Sequence, residues 1–280
     1  MNYAERAIIF TCADEGLVGI LAIPEQPAGR GVLIVVGGPQ YRVGSHRQYL
    51  ILSRQLAEAG FPVLRFDYRG MGDSEGEVHT FEAVDQDILA AINAFFHAVP
   101  GLDDVVLWGL CDAASAALMY APGDPRISGL ALANPWVRTP DGLAKVMVRH
   151  YYGSRLLQKE FWGRLLSGRM DFLAALRGLV GNLRGGAAKT EAASEVFAPF
   201  PERMAQGLQN FSGRVLFFLS GQDLTAREFE VMIQASTTWR RALKRPQVEW
   251  RRLDAATHTF SRKDWRDQVS RWTIDWVKSW

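Results

Sequence analysis

The chain has 280 residues, of which 48% are hydrophobic, so it can form one large α/β domain or two small ones with a sizeable core. Because 32 basic residues nearly balance 30 acidic ones, the net charge is only +2, which excludes a broad basic surface for nucleic acid. Two cysteines are too few for a disulfide framework, no apolar run approaches the ~18 residues of a membrane span, and no signal-peptide segment follows Glu5 and Arg6. We therefore expect a cytoplasmic globular protein that neither spans a membrane nor binds nucleic acid.

The first hundred residues predict strands that alternate with helices. Two apolar runs on either side of the turn formers at 13–16 indicate a β-hairpin, and the β-branched run at 32–36 is typical of a buried strand in a parallel sheet. Hydrophobic periodicity and capping residues predict the remaining elements of this part: a helix from Ser45 to Ala59, a strand over 62–66, a loop over 67–74 and a helix from Thr80 to Ala98.

A glycine pair, Gly37-Gly38, follows the β-branched run. Glycines that leave a central strand let the chain turn with its backbone N–H groups exposed, so this loop is a candidate for one half of an oxyanion hole. Because Pro39 has no N–H, the donor would be Gln40 or Tyr41, and we assign it to Gln40. An ordinary strand-to-helix turn is the alternative interpretation of the same residues.

The stretch 105–118 carries the strongest chemical signal: an apolar run, a tight turn at Cys111, then small helix-forming residues. Gly109 and Ala113 flank Cys111 at the spacing of the nucleophile elbow Gly-x-Ser-x-Gly, with cysteine in place of serine. The flanking residues must be small because strand and helix approach closely around a strained central residue. The backbone N–H of Asp112, at the helix start, would then point at a developing oxyanion. The alternative is a buried structural thiol.

Beyond the next predicted strand, 127–133, the pattern changes. Residues 137–212 show helical periodicity with no strand, so we expect a helical cap that covers the carboxyl edge of the sheet, on a core made of 1–136 and 213–280. Four aromatic residues either line an acyl pocket or hold the cap to the core: Trp136, Phe161, Trp162 and Phe172.

The strand pattern resumes after the predicted cap. One buried strand precedes Asp223, a second precedes His258, and helices are predicted over 225–243 and 261–280. Together with Cys111 these residues follow the chain order nucleophile, acid, histidine. Each stands after a predicted strand, at the edge of an open α/β sheet where catalytic groups gather.

Over nearly its whole length the chain resembles an α/β-hydrolase with a helical cap. Segments 37–48 and 109–115 resemble exosortase A system-associated hydrolase type 1, and 67–74 is similar to a loop of many capped members of the superfamily. The resemblance implies the α/β-hydrolase fold, in which helices flank a mostly parallel central sheet, and a bacterial protein encoded among exopolysaccharide and protein-sorting functions. Cysteine at position 111 departs from the serine of most members, although dienelactone hydrolases also use cysteine there.

The sequence therefore predicts a cysteine-nucleophile hydrolase that cleaves a carboxylic ester, thioester or lactone of a small-molecule acyl substrate. His258 would deprotonate Cys111, Asp223 would fix the imidazole tautomer, and the thioester formed would pass to water. The N–H groups of Asp112 and Gln40 would stabilise the oxyanion. We expect no metal and no organic cofactor. Two alternatives stay open: an acyltransferase with the same residues, and a non-catalytic binding scaffold of the exosortase and exopolysaccharide system.

Overall fold

The computed structural model of the protein describes residues 3–38, 40–138 and 198–280. The strands of these ranges form one eight-stranded sheet and are, in chain order, β1 (Tyr3–Cys12), β2 (Glu15–Pro24), β3 (Arg30–Val35), β4 (Val63–Phe66), β5 (Asp104–Leu110), β6 (Ile127–Ala133), β7 (Arg214–Ser220) and β8 (Val248–Leu253). Their spatial order is β1-β2-β4-β3-β5-β6-β7-β8. Strand β2 is antiparallel to both of its neighbours and the other pairs are parallel, which confirms the mostly parallel sheet expected from the sequence.

Helices cover both faces of this sheet. In the described ranges they are α1 (Gln48–Glu58), α2 (Asp85–Ala98), α3 (Asp112–Tyr120), α4 (Phe200–Asn210), α5 (Leu224–Ala235), α6 (Thr237–Ala242) and α7 (Lys263–Lys278). The buried side chains of α1 and α7 belong to the core on one face, and those of α2 to α6 belong to the core on the other. Over these same ranges, no helix has the length and apolar composition that crossing a bilayer requires.

Strand β3 is covered by helices on both faces, so its residues do not alternate between apolar and polar. Leu33 and Val35 belong to the core shared with α2, whereas Val32 and Ile34 belong to the core shared with α1. All four side chains are fully buried. Burying such an aliphatic side chain stabilises the fold by about 1.5–3 kcal/mol. A strand that is covered on both faces therefore needs a continuous apolar run.

Two of the predicted helices differ from the observed ones at their boundaries. The predicted helix 225–243 is divided at Ser236, whose hydroxyl caps α6 by accepting a hydrogen bond from the Trp239 N–H (3.4 Å). The helix predicted from Ser45 begins as an α-helix only at Gln48, because the two residues before it have positive φ. Both differences come from local backbone conformation, which hydrophobic periodicity does not report.

The predicted cap, 137–212, falls for the greater part on 139–197, which lie outside the described residues. Its C-terminal part contains α4, which packs against α3 and buries Met204 completely. Gly207 permits the close contact, because a Cβ atom there would overlap the Leu118 carbonyl oxygen. Helix α4 therefore belongs to the same compact unit as the sheet.

Candidate active site

Cys111 stands at the turn between β5 and α3, with a φ of 64° and a ψ of −124°. A cysteine rarely adopts so positive a φ, so the turn carries backbone strain. Gly109 allows strand and helix to meet there, because a Cβ atom at that position would lie 2.8 Å from the Ala113 carbonyl. The strand, tight turn and helix predicted around Cys111 are all present, and the residue lies at the carboxyl edge of the sheet.

Hydrogen bonds to the segment after β6 hold the strained residue in place. The Cys111 N–H donates to the Ala133 carbonyl (2.9 Å), and the Cys111 carbonyl accepts from the Trp136 N–H (3.1 Å). The buried Ser115 hydroxyl donates to the Trp136 carbonyl (2.6 Å) and so ties α3 to the same segment. A strained backbone persists where its surroundings fix it in this way.

Asp223 and His258 form the second half of the site. Asp223 Oδ2 lies 2.8 Å from His258 Nδ1. The same carboxylate caps α5, since it accepts from the Thr225 N–H (3.2 Å) and the Ala226 N–H (3.1 Å). Three hydrogen bonds fix it and only 7% of its side chain is exposed, so it holds the imidazole in one orientation.

A buried network that the sequence analysis missed positions the loop of His258. Asn134, directly after β6, has a φ of 43° and no exposed surface. Its Nδ2 donates to the Ser220 hydroxyl and the His258 carbonyl, both at 2.9 Å, and its Oδ1 accepts from the Ser220 N–H at 2.8 Å. The Ser220 hydroxyl donates in turn to the Thr257 carbonyl (3.0 Å). The only sign of this network in the sequence is that a polar residue, Asn134, directly follows the apolar strand β6.

The surroundings of His258 favour its protonated form by raising its pKa. Burial lowers its pKa, but hydrogen bonds to Asp223 and Cys111, together with the charges of both groups, outweigh burial and raise the pKa from its ordinary 6.5 to about 10. Since Nδ1 faces Asp223, the other ring nitrogen, Nε2, is left for Cys111. A cysteine beside an imidazole that can take and return a proton is the arrangement that nucleophilic catalysis uses.

The Asp112 carboxylate is hydrogen-bonded to backbone N–H groups next to Cys111. It accepts hydrogen bonds from the Gly38 N–H (2.9 Å) and the Ala113 N–H (3.0 Å). Burial raises the pKa of Asp112, against the lowering effect of these N–H groups and of the His258 charge. The sequence analysis singled out the Gly37-Gly38 loop but assigned its donor to Gln40, whereas the structure brings the Gly38 N–H to the Asp112 carboxylate.

Two further predicted site residues lie among the described ones. Gln40 follows the Gly37-Gly38 turn, where its side-chain Oε1 accepts from the Ser45 N–H (2.9 Å). Trp136 is half-buried, bonds to Cys111 through its backbone, and has the Arg138 guanidinium 4.6 Å above its ring. The other predicted pocket residues lie outside the described residues: Phe161, Trp162 and Phe172.

Comparison with known proteins places the chain in a family. Residues 32–273 match the sequence model of the alpha/beta hydrolase family. The chain belongs to this family. A curated human relative, Protein ABHD12B, is 36% identical to this hydrolase over 78 residues, which are 28% of the chain and 20% of that protein. The matched segment thus spans only a fifth of the relative's length.

Solved esterase structures share the fold of this hydrolase. The esterase Pf2001 of Pyrococcus furiosus, at 16% identity, has a TM-score of 0.66 over 99% of this chain and 92% of that one. A thermostable carboxyl esterase of Bacillus coagulans has 17% identity and a TM-score of 0.64 over 99% of both chains. Est1E of Butyrivibrio proteoclasticus, with ferulic acid bound, has 15% identity and a TM-score of 0.61 over 98% of this chain and 100% of that one. These likenesses confirm the predicted α/β-hydrolase fold, and the family confirms the predicted hydrolase class.

The candidate site of the hydrolase lies at the carboxyl ends of β5, β7 and β8, where catalytic groups of open α/β sheets gather. The structure brings together Cys111, Asp223 and His258, which come from three separate segments of the sequence. An imidazole placed between a thiol and a carboxylate is an arrangement that suits nucleophilic attack on an acyl carbon. Within the described ranges, no group of three His, Cys, Asp or Glu side chains is placed to hold a metal ion.

Proposed function

We propose that this hydrolase cleaves a carboxylic ester, thioester or lactone by forming a thioester on Cys111. The observation that carries the proposal is the line of contacts from Asp223 through His258 to Cys111, with 2.8 Å between Asp223 Oδ2 and His258 Nδ1. A thiolate paired with an imidazolium is an activated nucleophile. Cys111 is partly exposed, whereas Cys12 is buried, so only the former is open to a substrate. The esterases that share the fold favour an ester among acyl substrates.

Acylation forms one bond and breaks one. Cys111 Sγ attacks the acyl carbon, and the π electrons of the carbonyl move to its oxygen. When the tetrahedral intermediate collapses, the C–O or C–S bond to the leaving group breaks, and the His258 imidazolium gives its proton to that group. Because Asp223 holds Nδ1, the proton is transferred at Nε2.

Deacylation returns the enzyme to its starting state. The neutral His258 takes a proton from water, the water oxygen attacks the thioester carbon, and Cys111 departs as a thiolate paired with the imidazolium. With a lactone, the leaving hydroxyl stays in the same molecule and the product is a hydroxy acid. An acyltransferase would pass the same acyl group to a hydroxyl or amine, so product analysis with and without an acceptor separates the two activities.

The oxyanion formed in both steps is assigned to backbone N–H groups beside Cys111. The Asp112 N–H stands at the start of α3, where the helix dipole favours negative charge. Gln40 supplies the second N–H from the loop after β3. Each preorganised donor lowers the barrier by about 3 kcal/mol.

The place of the reaction in the cell belongs to the same proposal. Segments 37–48 and 109–115, which resemble exosortase A system-associated hydrolases, support a role beside bacterial exopolysaccharide and protein-sorting functions, and the low cysteine count is consistent with the cytoplasm as its place. The substrate would then be a small acyl compound of that system. A non-catalytic scaffold is the alternative, and it would be contradicted by ester hydrolysis in the purified protein.

Hydrolysis of p-nitrophenyl acetate and of an acetyl thioester tests the proposal. The proteins to compare are the wild type, Cys111→Ala and the matched control Cys12→Ala, which removes the other thiol of the chain. We expect Cys12→Ala to keep the wild-type rate, and Cys111→Ala to lose about 10³-fold or more in kcat, as nucleophile removal does in covalent catalysis. Equal turnover in Cys111→Ala would place the nucleophile elsewhere.

A further inference from the structure

The Asp112 carboxylate accepts hydrogen bonds from the start of α3 and from the loop after β3, the two segments that carry the assigned oxyanion donors, the Asp112 and Gln40 N–H groups. Its Oδ2 accepts from the Gly38 N–H at 2.9 Å, and its Oδ1 accepts from the Ala113 N–H at 3.0 Å. Gly37 allows this approach, because a Cβ atom there would overlap Asp112 Oδ1. The loop after β3 and the start of α3 are thus bridged by a negative charge, directly beside Cys111.

A carboxylate and a developing oxyanion carry the same charge and need the same donors. An acyl oxyanion is stabilised where N–H groups converge beside the nucleophile. The Gly38 N–H already donates a hydrogen bond to the Asp112 carboxylate and is not free for an oxyanion. In addition, two neighbouring anions in a partly buried site repel each other strongly. The geometry seen here therefore does not fit the tetrahedral intermediate.

Two buried tyrosine hydroxyls could donate hydrogen bonds to the Asp112 carboxylate in a second side-chain orientation. Among the described residues, Tyr49 Oη and Tyr68 Oη are both buried and have no hydrogen-bond partner. Burial raises the pKa of both tyrosines, and the negative charge of Asp112 raises each further. Buried hydroxyls without partners are unfavourable, and a carboxylate that turned toward them would accept the hydrogen bonds they lack.

We propose that the Asp112 side chain closes the oxyanion hole of the resting protein and turns toward Tyr49 and Tyr68 when an acyl group enters. Asp112 is then a positioning residue: its backbone N–H binds the oxyanion, while its side chain determines when the hole is free. The inference rests on the proposed function, since an acyl substrate is what brings an oxyanion to the site. Acyl groups that cannot displace the carboxylate are excluded, so Asp112 also contributes to substrate selection.

A pair of ketones tests the inference: an aryl trifluoromethyl ketone and the matching methyl ketone. Cys111 Sγ adds to the trifluoromethyl ketone carbon, the carbonyl π electrons move to oxygen, and the adduct keeps an oxyanion, whereas the methyl ketone forms no stable adduct. The proteins are wild type, Asp112→Ala and Asp112→Asn. The matched control is Asp85→Asn, because Asp85 is also the first residue of a helix but is exposed on α2.

We expect Asp112→Ala to bind the trifluoromethyl ketone about tenfold or more tightly than wild type, relative to the methyl ketone. The substitution removes a like charge beside the oxyanion and frees the Gly38 N–H, and one donor to an oxyanion is worth at least this factor. Asp112→Asn keeps the size of the side chain but removes its charge, so its affinity for the trifluoromethyl ketone should also increase. This variant replaces Asp112→Ala in the test if Asp112→Ala does not fold. Alkylation of Cys111 by iodoacetamide, which forms no oxyanion, is measured in every variant and reports any change in the reactivity of the thiol itself. Asp85→Asn binds both ketones as wild type does.

The two tyrosines give an independent readout. The double variant Tyr49→Phe/Tyr68→Phe removes the donors to which the carboxylate turns, so the trifluoromethyl ketone binds more weakly than to wild type. Adding Asp112→Ala to that background restores the binding. Wild-type affinity in the double variant would overturn the assignment of the tyrosines.

Two failures can be told apart. If both Asp112 variants alkylate at Cys111 and melt like wild type, yet bind the trifluoromethyl ketone no more tightly, the inference is overturned and the proposed function stands. The carboxylate then only anchors the loop of Gly38. If Cys111 alkylates but neither wild type nor any variant forms a ketone adduct, the proposed function and the inference both fail.

Discussion

His258 Nδ1 and Asp223 Oδ2 meet at 2.8 Å, and the carboxylate that makes this contact also begins helix α5. Two backbone N–H groups of the first helical turn hold the carboxylate at the same time. Because the backbone of a helix fixes the acid, the acid fixes the imidazole with little freedom. A turn, a helix start and a loop that are separate in the sequence thereby meet in one candidate active site.

Replacing Asp223 by Asn separates the charge from the helix cap. Asparagine caps helices about as well as aspartate, so we expect the free energy of unfolding to change by about 1 kcal/mol or less. The amide favours the wrong imidazole tautomer, so kcat for ester hydrolysis should fall by about 10⁴-fold. The control is Asp254→Asn, an exposed aspartate in the loop before His258, which should keep the wild-type rate. Wild-type turnover in Asp223→Asn would move the acid to another residue.

The protonation of His258 is measurable by NMR titration of its imidazole. In the wild type we expect a pKa of about 10, because the contributions of Asp223 and Cys111 outweigh burial. Asp223→Asn and Cys111→Ala each remove a hydrogen bond and a negative charge, so both should lower this pKa. A wild-type pKa near the ordinary 6.5 would mean that the ion pair with Cys111 does not form.

The same raised pKa makes stability depend on pH. Folding raises the pKa of His258, so its protonation stabilises the folded state. This contribution is fully present below the unfolded value near 6.5 and is lost as the pH rises through about 10. Urea unfolding of wild type should therefore show a free energy that falls over this interval, and His258→Gln should show a smaller fall. Parallel curves for the two proteins would contradict the raised pKa.

Local sequence was enough to predict the sheet and the order of the candidate catalytic residues. The apolar run at 32–36 needs only its own composition, and the spacing of Gly109 and Cys111 encodes the turn between them. Asn134 was missed because it acts through Ser220, 86 residues away, and Gly38 meets Asp112 across 74 residues. Such contacts depend on which strands become neighbours in the sheet, which no local pattern states.

Asn134 supports the loop of His258, so its truncation should affect stability and turnover together. Asn134→Ala leaves the Ser220 N–H and the His258 carbonyl without their partner. Each unsatisfied buried polar group costs about 1–3 kcal/mol, so the free energy of unfolding should fall by at least that amount in urea titrations. kcat should fall more than KM changes, because the imidazole moves and the acyl-binding surface does not. Asn210→Ala, at the exposed end of α4, is the control, and equal behaviour of the two variants would contradict a supporting role.

Between the two proposed chemical steps the acyl group of the substrate resides on Cys111. Rapid acid quenching during turnover of p-nitrophenyl acetate, followed by proteolysis and mass spectrometry, locates that group directly. We predict one acetyl group on the peptide that contains Cys111, released by neutral hydroxylamine as a thioester is, present in Cys12→Ala and absent in Cys111→Ala. An acetyl group on any other residue, with turnover intact, would contradict the nucleophilic role of Cys111.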